Sequence, residues 1–391
     1  MNAFDLPSAT PIAFGPGRLA AIGEEVSRLA GGATAVLIAA DPFVAQSGTA
    51  ERVKAALQAA GHEARVFSDI ASDPKEAQID ACAVAAREMG AAVVVAIGGG
   101  SAMDVGKLAA ASAGGSAPTR DYALMANPLP ANPLKTVCVP TTSGTGAEVT
   151  RTVVFSLADG SKVWAWGDQM QPALALLDPE LTVSLPAPLT AATGVDALVH
   201  AIEAMTNRRS HPLGDANALQ AIRLVSLYLR RAVKDGGDLE ARGHLQIAAA
   251  LAGLAIDVNG TAVAHAIGHA LGTVGRVHHG RAVGLSLRVA LPGNAKAGPK
   301  RHALVAEAFG LGRNGRSDEA LAHALPVAYD GFLREVGLEV SLKDNGLGPA
   351  DTDRLTQETL EPENQPMLKV NVRELSPKDV RDLCHAVLAA Q

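Results

Sequence analysis

The chain has 391 residues, 48% of them hydrophobic, and sets 34 Lys and Arg against 40 Asp and Glu for a net charge of −6. This is ordinary globular composition with interspersed charge, which argues against a nucleic-acid surface or a basic membrane face. Aromatic residues make up only 3%, too few for a platform that stacks single-stranded bases.

At roughly 150 residues per domain, two domains are expected. The N-terminal MNAFDLPSAT has no basic n-region and no apolar h-region, so no signal peptide is expected. Residues 35–39 (AVLIA) predict a strand, 48–60 a helix, 64–67 a second strand and 79–89 a second helix. Residues 91–97 (AAVVVAI) and 136–139 (TVCV) are continuous β-rich runs, too short to span a bilayer. Strands covered on both faces lose polar alternation, as parallel strands under helices do. The βαβα order therefore predicts an α/β domain with a mainly parallel sheet.

From about Thr190 the pattern becomes helical, with Ala- and Leu-rich stretches at 191–205, 214–233, 243–256 and 302–308. Pro186 and Pro188 stand at the change and place a boundary, giving domains 1–186 and 187–391. Residues 296–300 and 346–351 read as loops. Cys82, Cys138 and Cys384 are odd in number, far apart and without a C-x-x-C, which favours a reducing cytoplasm over a disulfide framework.

Two loops carry candidate nucleotide chemistry. Gly98, Gly99, Gly100 and Ser101 follow the 91–97 strand and lead into an Ala-rich helix, with Asp104 and Lys107 one and two turns on. Glycines admit a close ligand, and free amides at a helix N-terminus suit phosphate oxygens. A tight turn with Ser101 as the helix cap is an equally good reading. After the 136–139 strand comes Pro140-Thr141-Thr142-Ser143-Gly144-Thr145-Gly146, whose hydroxyls suit a ribose or pyrophosphate, or simply caps and turns. Asp41 ends a third strand. It can accept from adenosine ribose hydroxyls and repel a 2′-phosphate, or merely cap a helix before Pro42.

The second half holds a candidate metal cluster in Asp196, His200, His265, His269 and His279. Residues four apart share a helix face, so the pairs 196/200 and 265/269 can each converge on one ion. Carboxylate plus imidazole suits iron or zinc. Glu203, one turn past His200, fits either support of a ligand or a helix-face ion pair. The histidines at 62, 211, 244, 302, 323 and 385 read as surface or satisfied structural residues.

These features together resemble the iron-containing, or group III, alcohol dehydrogenases. The resemblance runs from Phe14-Gly15-Pro16-Gly17 to Asn371-Val372-Arg373. It includes GGGS-x-x-D-x-x-K at 98–107, PTTSGTGAEVT at 140–150, DPELT at 178–182 and TGVDALVHAIEA at 193–204. It implies a dehydroquinate-synthase-like fold, with an N-terminal dinucleotide-binding α/β domain, an all-α C-terminal domain and the active site in the cleft between them. The implied metal ligands are Asp196, His200, His265 and His279. Spacing alone favours His269, one turn after His265, but the family places that residue beside the nicotinamide, where it becomes the candidate proton relay. His278 departs from the small or apolar residue usual before the last ligand.

The implied cofactor set is Asp41, Gly98, Gly99, Gly100, Ser101, Asp104, Thr141, Thr142, Thr145, Lys162 and Leu181. Asp41 matches the acid that accompanies NAD, with NADP the alternative; Asp73 stands where relatives often carry Asn. Iron is the family's usual ion and zinc fits the same ligands. The expected activity is hydride transfer between NAD(H) and a primary alcohol or aldehyde by a cytoplasmic homodimer or higher homo-oligomer, without nucleic-acid or membrane partners. Asp257 and Asn259 make the segment before His265 more polar than usual. They suit a second hydroxyl on a diol or hydroxyaldehyde, or a capping and solvent-facing role. The alternatives are a zinc polyol dehydrogenase, a maleylacetate-reductase-like enzyme, a metallohydrolase or an oligomer with a structural metal.

Overall fold

The computed structural model describes residues 9–390, which divide into two compact units, 9–183 and 184–390. The first contains, in order, β1 (Ile12–Phe14), α1 (Ile22–Ala30), β2 (Ala35–Ala40), α2 (Pro42–Gln46), α3 (Thr49–Ala59), β3 (Glu63–Phe67), α4 (Glu76–Glu88), β4 (Val93–Gly98), α5 (Gly100–Ser112), β5 (Lys135–Pro140), β6 (Thr152–Ser156), β7 (Lys162–Trp166) and β8 (Leu174–Leu177). Six strands form an all-parallel sheet in the order β1-β8-β5-β4-β2-β3. Their side chains alternate between two apolar layers. Val36, Ile38, Val93, Val95 and Ile97 pack on one face with Ile22, Val26, Val53 and Leu57, while Leu37 and Val94 pack on the other with Ile79, Val105 and Leu108. Burial on both faces explains the missing polar alternation.

The chain runs outward from β2 to β3, then crosses back so that β4 lies on the other side of β2. That reversal opens a crevice at the carboxyl ends of β2 and β4, the usual seat of a ligand in such sheets. The register pairs Ala40 with Ile97 and Gly98 with Pro140, so Asp41, the glycine run and Thr141 leave the sheet side by side. A Cβ on Gly106 would lie 2.6 Å from that of Ala96, so only a glycine there lets α5 sit this close to β4.

An antiparallel hairpin, β6–β7, was not foreseen, nor were the short strands β1 and β8. The hairpin's signal is Asp159-Gly160 between two β-rich runs, with Gly160 at φ +91°. The FGPG and DPELT motifs meet each other: Asp178 accepts from the amides of Gly17, Leu19 and Glu180 at 2.9–3.1 Å.

The second unit is helical, with no strand among its described residues: α6 (Ala187–Thr206), α7 (Pro212–Lys234), α8 (Leu239–Asn259), α9 (Val263–Gly275), α10 (His279–Ala297), α11 (Pro299–Ala308), α12 (Asp318–Glu335), α13 (Thr352–Thr359), α14 (Gln365–Val370) and α15 (Pro377–Ala389). Helix α6 is buried on every side from Thr190 onward, packed by α7, α8 and α10. The stretch 296–300, read as a loop, is a break of one residue, Gly298, between α10 and α11. No single helix among the described residues is long and apolar enough to cross a membrane.

Lys107 shows how the two loops of the first unit are tied. Its buried Nζ donates to the carbonyls of Ala147 (2.9 Å) and Thr152 (2.8 Å) and to Thr150 Oγ1 (3.3 Å), joining α5 to the loop after β5. Replacing it by Met removes the ammonium from all three and leaves the Thr152 carbonyl only the Thr150 hydroxyl, at 3.5 Å. Lys107→Met is expected to destabilise the protein by about 3 kcal/mol, read as a lower urea midpoint at unchanged slope.

Candidate active site

Three strand ends of the first unit come together. Gly98 sits at φ +148°, where a Cβ would fall 2.4 Å from Asp41 Oδ2, so glycine is required twice over. Asp41 caps α2 by accepting from the Val44 amide at 2.9 Å and also takes the Gly99 amide at 3.3 Å. The capping role is therefore real, and it fixes the carboxylate against the glycine loop. Gly99 is the N-cap of α5, and Ser101 is not the cap: its hydroxyl donates to the Ser72 carbonyl at 2.6 Å. In the first turn of α5 the Ala102 amide donates to the Gly99 carbonyl at 3.1 Å, and the amides of Gly100 and Ser101 precede the first carbonyl that the helix could offer them.

Thr142 and Thr145 lie against this turn. A Cβ on Gly100 would meet Thr145 Cγ2 at 2.7 Å, and one on Gly99 would meet Thr142 Cγ2 at 3.7 Å. The Thr141 amide donates to the Gly98 carbonyl. Asp104 accepts from the Val154 amide at 3.1 Å, and burial pushes its carboxyl up to about 6 against the pull of Lys107 and Lys162. Burial likewise raises Glu148, beneath the second loop, to about 7. Lys162 Nζ stands 3.7 Å from Asp73 Oδ1. Burial pushes Asp73 up, but Lys75, Lys162 and Ser156 outweigh it and hold the carboxyl below its usual range. Leu181 follows β8 and packs on the sheet core.

The helical unit supplies a second cluster. Asp196 and His200 lie on one face of α6, His265 on the first turn of α9, and His279 opens α10. Their ligand atoms all lie within 4.8 Å of one another. The Nε2 atoms of His279, His200 and His265 stand 3.6, 3.8 and 3.9 Å from a single oxygen, Asp196 Oδ1. These separations are too long for hydrogen bonds. They are close to the roughly 3.4 Å between two donors that share a tetrahedral ion at 2.0–2.2 Å. Asp196 Oδ1 and His265 Nε2 are buried without a hydrogen-bond partner. Burial and the neighbouring His200 keep the His265 pKa well below its ordinary value, so its imidazole is neutral and has a lone pair to offer. Donor set, spacing and orphaned atoms all fit a divalent cation.

His269 is outside this group. Its half-buried ring lies 5.5 Å from that of His279 and 6.4 Å from that of His265. His278 is exposed and serves as the N-cap of α10. Sequence reasoning missed Gly280, where a Cβ would sit 2.1 Å from the Ala192 carbonyl oxygen, so glycine lets α10 bring His279 to Asp196. The available signal was the His-Gly pair itself. Glu203 accepts from the amides of Ala262 (2.8 Å) and Ala264 (2.7 Å) and contacts His265 Nδ1 at 2.6 Å. Burial raises it to about 7 against those amides. Asn259 is not positioned for substrate: it is fully buried, donating to the Ala204 carbonyl at 3.0 Å.

The family described as "Iron-containing alcohol dehydrogenase" matches residues 9–179, and "Fe-containing alcohol dehydrogenase family, C-terminal" matches 190–388. Choline dehydrogenase of Bacillus subtilis (strain 168) is 35% identical over 386 residues, covering 96% of this chain and 92% of that protein. 1,3-Propanediol dehydrogenase of Klebsiella pneumoniae is 34% identical, covering 90% and 91%. The structure of sulfoacetaldehyde reductase from Bifidobacterium kashiwanohense in complex with NAD+ superposes with a TM-score of 0.89 at 31% identity, covering 99% of each chain. With both family regions matched in order over nearly its full length, the chain belongs to the iron-containing alcohol dehydrogenase family.

Proposed function

We propose that this chain, an NAD-dependent alcohol oxidoreductase by family, works with one divalent ion held by Asp196, His200, His265 and His279. The observation that carries the reading is the single buried carboxylate oxygen with three imidazole nitrogens 3.6–3.9 Å away. Iron is the favoured ion and zinc the alternative, since the donors suit both. When bound, such an ion polarises the substrate oxygen, stabilising charge on it in either direction of the reaction. Residues 187–391 form the metal-binding domain in this reading, and residues 1–186 the NAD(P)-binding domain.

In the latter, the N-terminal amides of α5, with Gly98, Gly99, Gly100 and Ser101 around them, receive the pyrophosphate. Thr141, Thr142 and Thr145 offer hydroxyls to ribose and nicotinamide, and Lys162 adds a positive charge that Asp73 and Asp104 hold in place. Leu181 supplies an apolar wall. Asp41, fixed by two amides, keeps acceptor capacity for ribose hydroxyls and disfavours a 2′-phosphate. The nicotinamide supplies or takes the hydride when bound. His269, near the ligand imidazoles and outside the group, passes the alcohol proton to solvent.

A short polar substrate suits the chain best. The three relatives named above are called after choline, 1,3-propanediol and sulfoacetaldehyde, each with a second polar group. Asp257 lies in the last turn of α8, where a negative charge opposes the helix dipole, so capping does not account for it. It is assigned here to the second polar group of substrate. Exposed Ile12 and Phe14 on the sheet's edge strand favour a homo-oligomer, and three buried free cysteines favour the cytoplasm.

Chelation followed by gel filtration is expected to abolish NAD reduction with short alcohols, and Fe2+ or Zn2+ to restore it. His200→Ala is expected to remove both ion and activity while the chain still melts cooperatively; an active, ion-free preparation would refute the reading. Asp41→Gly is expected to raise the NADP:NAD ratio of kcat/KM at least about tenfold, with loss of the cap costing a few tenths of a kcal/mol. Asp257→Ala is expected to lower kcat/KM about tenfold on 1,3-propanediol and little on 1-propanol; equal losses on both remove its assigned role.

A further inference from the structure

We propose that Glu203 is the positioning residue that prepares His265 to hold the ion, an inference that rests on the metal reading above. Glu203 projects from α6, one turn beyond His200, and is almost wholly buried. Its Oε2 accepts from the Ala262 amide at 2.8 Å, and its Oε1 from the Ala264 amide at 2.7 Å. These amides open α9, whose N-cap residue, Ala262, has no side chain able to cap it. A carboxylate from another helix performs that task.

The same Oε2 faces His265 Nδ1 at 2.6 Å. Both carboxylate oxygens already receive amide protons whose direction the backbone fixes. With Glu203 ionised, and so an acceptor only, the proton in the Glu203–His265 contact sits on the imidazole, and His265 is the Nδ1–H tautomer. Its lone pair is then on Nε2, the atom 3.9 Å from Asp196 Oδ1 with no hydrogen-bond partner. The opposite tautomer would point a proton into the space the other three donors share. A carboxylate behind a metal-binding imidazole is a recurrent way of fixing both tautomer and ring angle.

His200 has no such support, because its Nδ1 is buried without a hydrogen-bond partner. Its ring stacks on that of His265 instead, with centroids 4.5 Å apart and planes 17° from parallel. One carboxylate thus sets two of the three imidazoles.

The test is chelator-buffered titration of Zn2+ alone into the apo full-length chain, wild type against Glu203→Gln, with apo melting temperature recorded alongside. With its oxygen toward Ala262 and His265, the amide of Gln turns a donor on the Ala264 amide; flipped, it serves Ala264 but turns a donor on both Ala262 and His265. Uptake is expected to weaken 10- to 100-fold, with part of the loss recovered in Glu203→Asp. A lower apo melting temperature with unchanged Zn2+ affinity would mean that Glu203 is only a helix cap, and overturns the proposal. A second measurement needs no variant. Long-range 1H–15N spectra of 15N-histidine-labelled apo protein are expected to show His265 protonated on Nδ1; protonation on Nε2 overturns it equally. Wild-type protein that takes up no Zn2+ refutes the metal reading itself, and this inference with it.

Discussion

A buried carboxylate oxygen without a hydrogen bond is the constraint on which the helical unit depends. Asp196 Oδ1 has three imidazole nitrogens 3.6–3.9 Å away and no donor closer. An uncompensated buried carboxylate costs several kcal/mol, more than a domain ordinarily sacrifices at one position. A cation among those four atoms reverses the sign of that term, and its binding energy then becomes folding energy. The surroundings suit this purpose. Helix α6 is enclosed on every side, so Asp196 and His200 have little rotamer freedom, and Glu203 ties the same helix to the first turn of α9.

The α/β unit answers a different electrostatic demand. Its three strand ends present amides and hydroxyls, which suit an anion, but the loops that carry them need a rigid base. Lys107 provides it from beneath, with all three ammonium donors taken by the neighbouring loop and strand. Asp104 and Glu148, both raised by burial, lie within reach of that ammonium field. The GGGS-x-x-D-x-x-K pattern therefore divides into a half at the strand end, the part proposed to receive the pyrophosphate, and a buried half that holds the first in place. Asp41 shows the same economy: the cap of α2 and the clamp on Gly99 are one side chain, so the two readings of that residue do not compete.

Much of this was legible in the chain itself, for identifiable reasons. The runs at 35–39, 91–97 and 136–139 were readable because their flanking strands and helices bury both faces, and buried strands are plainly apolar. The β6–β7 hairpin and the edge strands β1 and β8 escaped because three to five residues carry too little pattern to stand out. Convergence of two donors within a helix was legible at 196/200, where i,i+4 is a local rule. At 265/269 the same rule points to His269, whereas the donor atoms that lie together include His279, from the start of the next helix, in its place. That choice depends on how two helices cross, which no local period encodes. Asn259 escaped for a similar reason. Its polarity serves the contact between α6 and α8, visible only once both are placed.

What sets that crossing is backbone proximity. A Cβ on Gly280 would lie 2.1 Å from the Ala192 carbonyl oxygen and 3.2 Å from Asp196 Cβ, and one on Gly284 would lie 2.7 Å from Val195 Cγ1. The two glycines are four apart, on one face of α10, and together they let it approach α6 more closely than any side chain would allow. Gly268 does the same between α9 and α10, where a Cβ would meet Val283 Cγ1 at 2.5 Å. Imidazole is short and has two rotatable bonds, so His279 cannot stretch to make up for a helix held a methyl group further off. The spacing of the four donors is thus fixed by missing side chains as much as by the ligands, and a histidine pattern without its glycines would be a weaker sign of the same site.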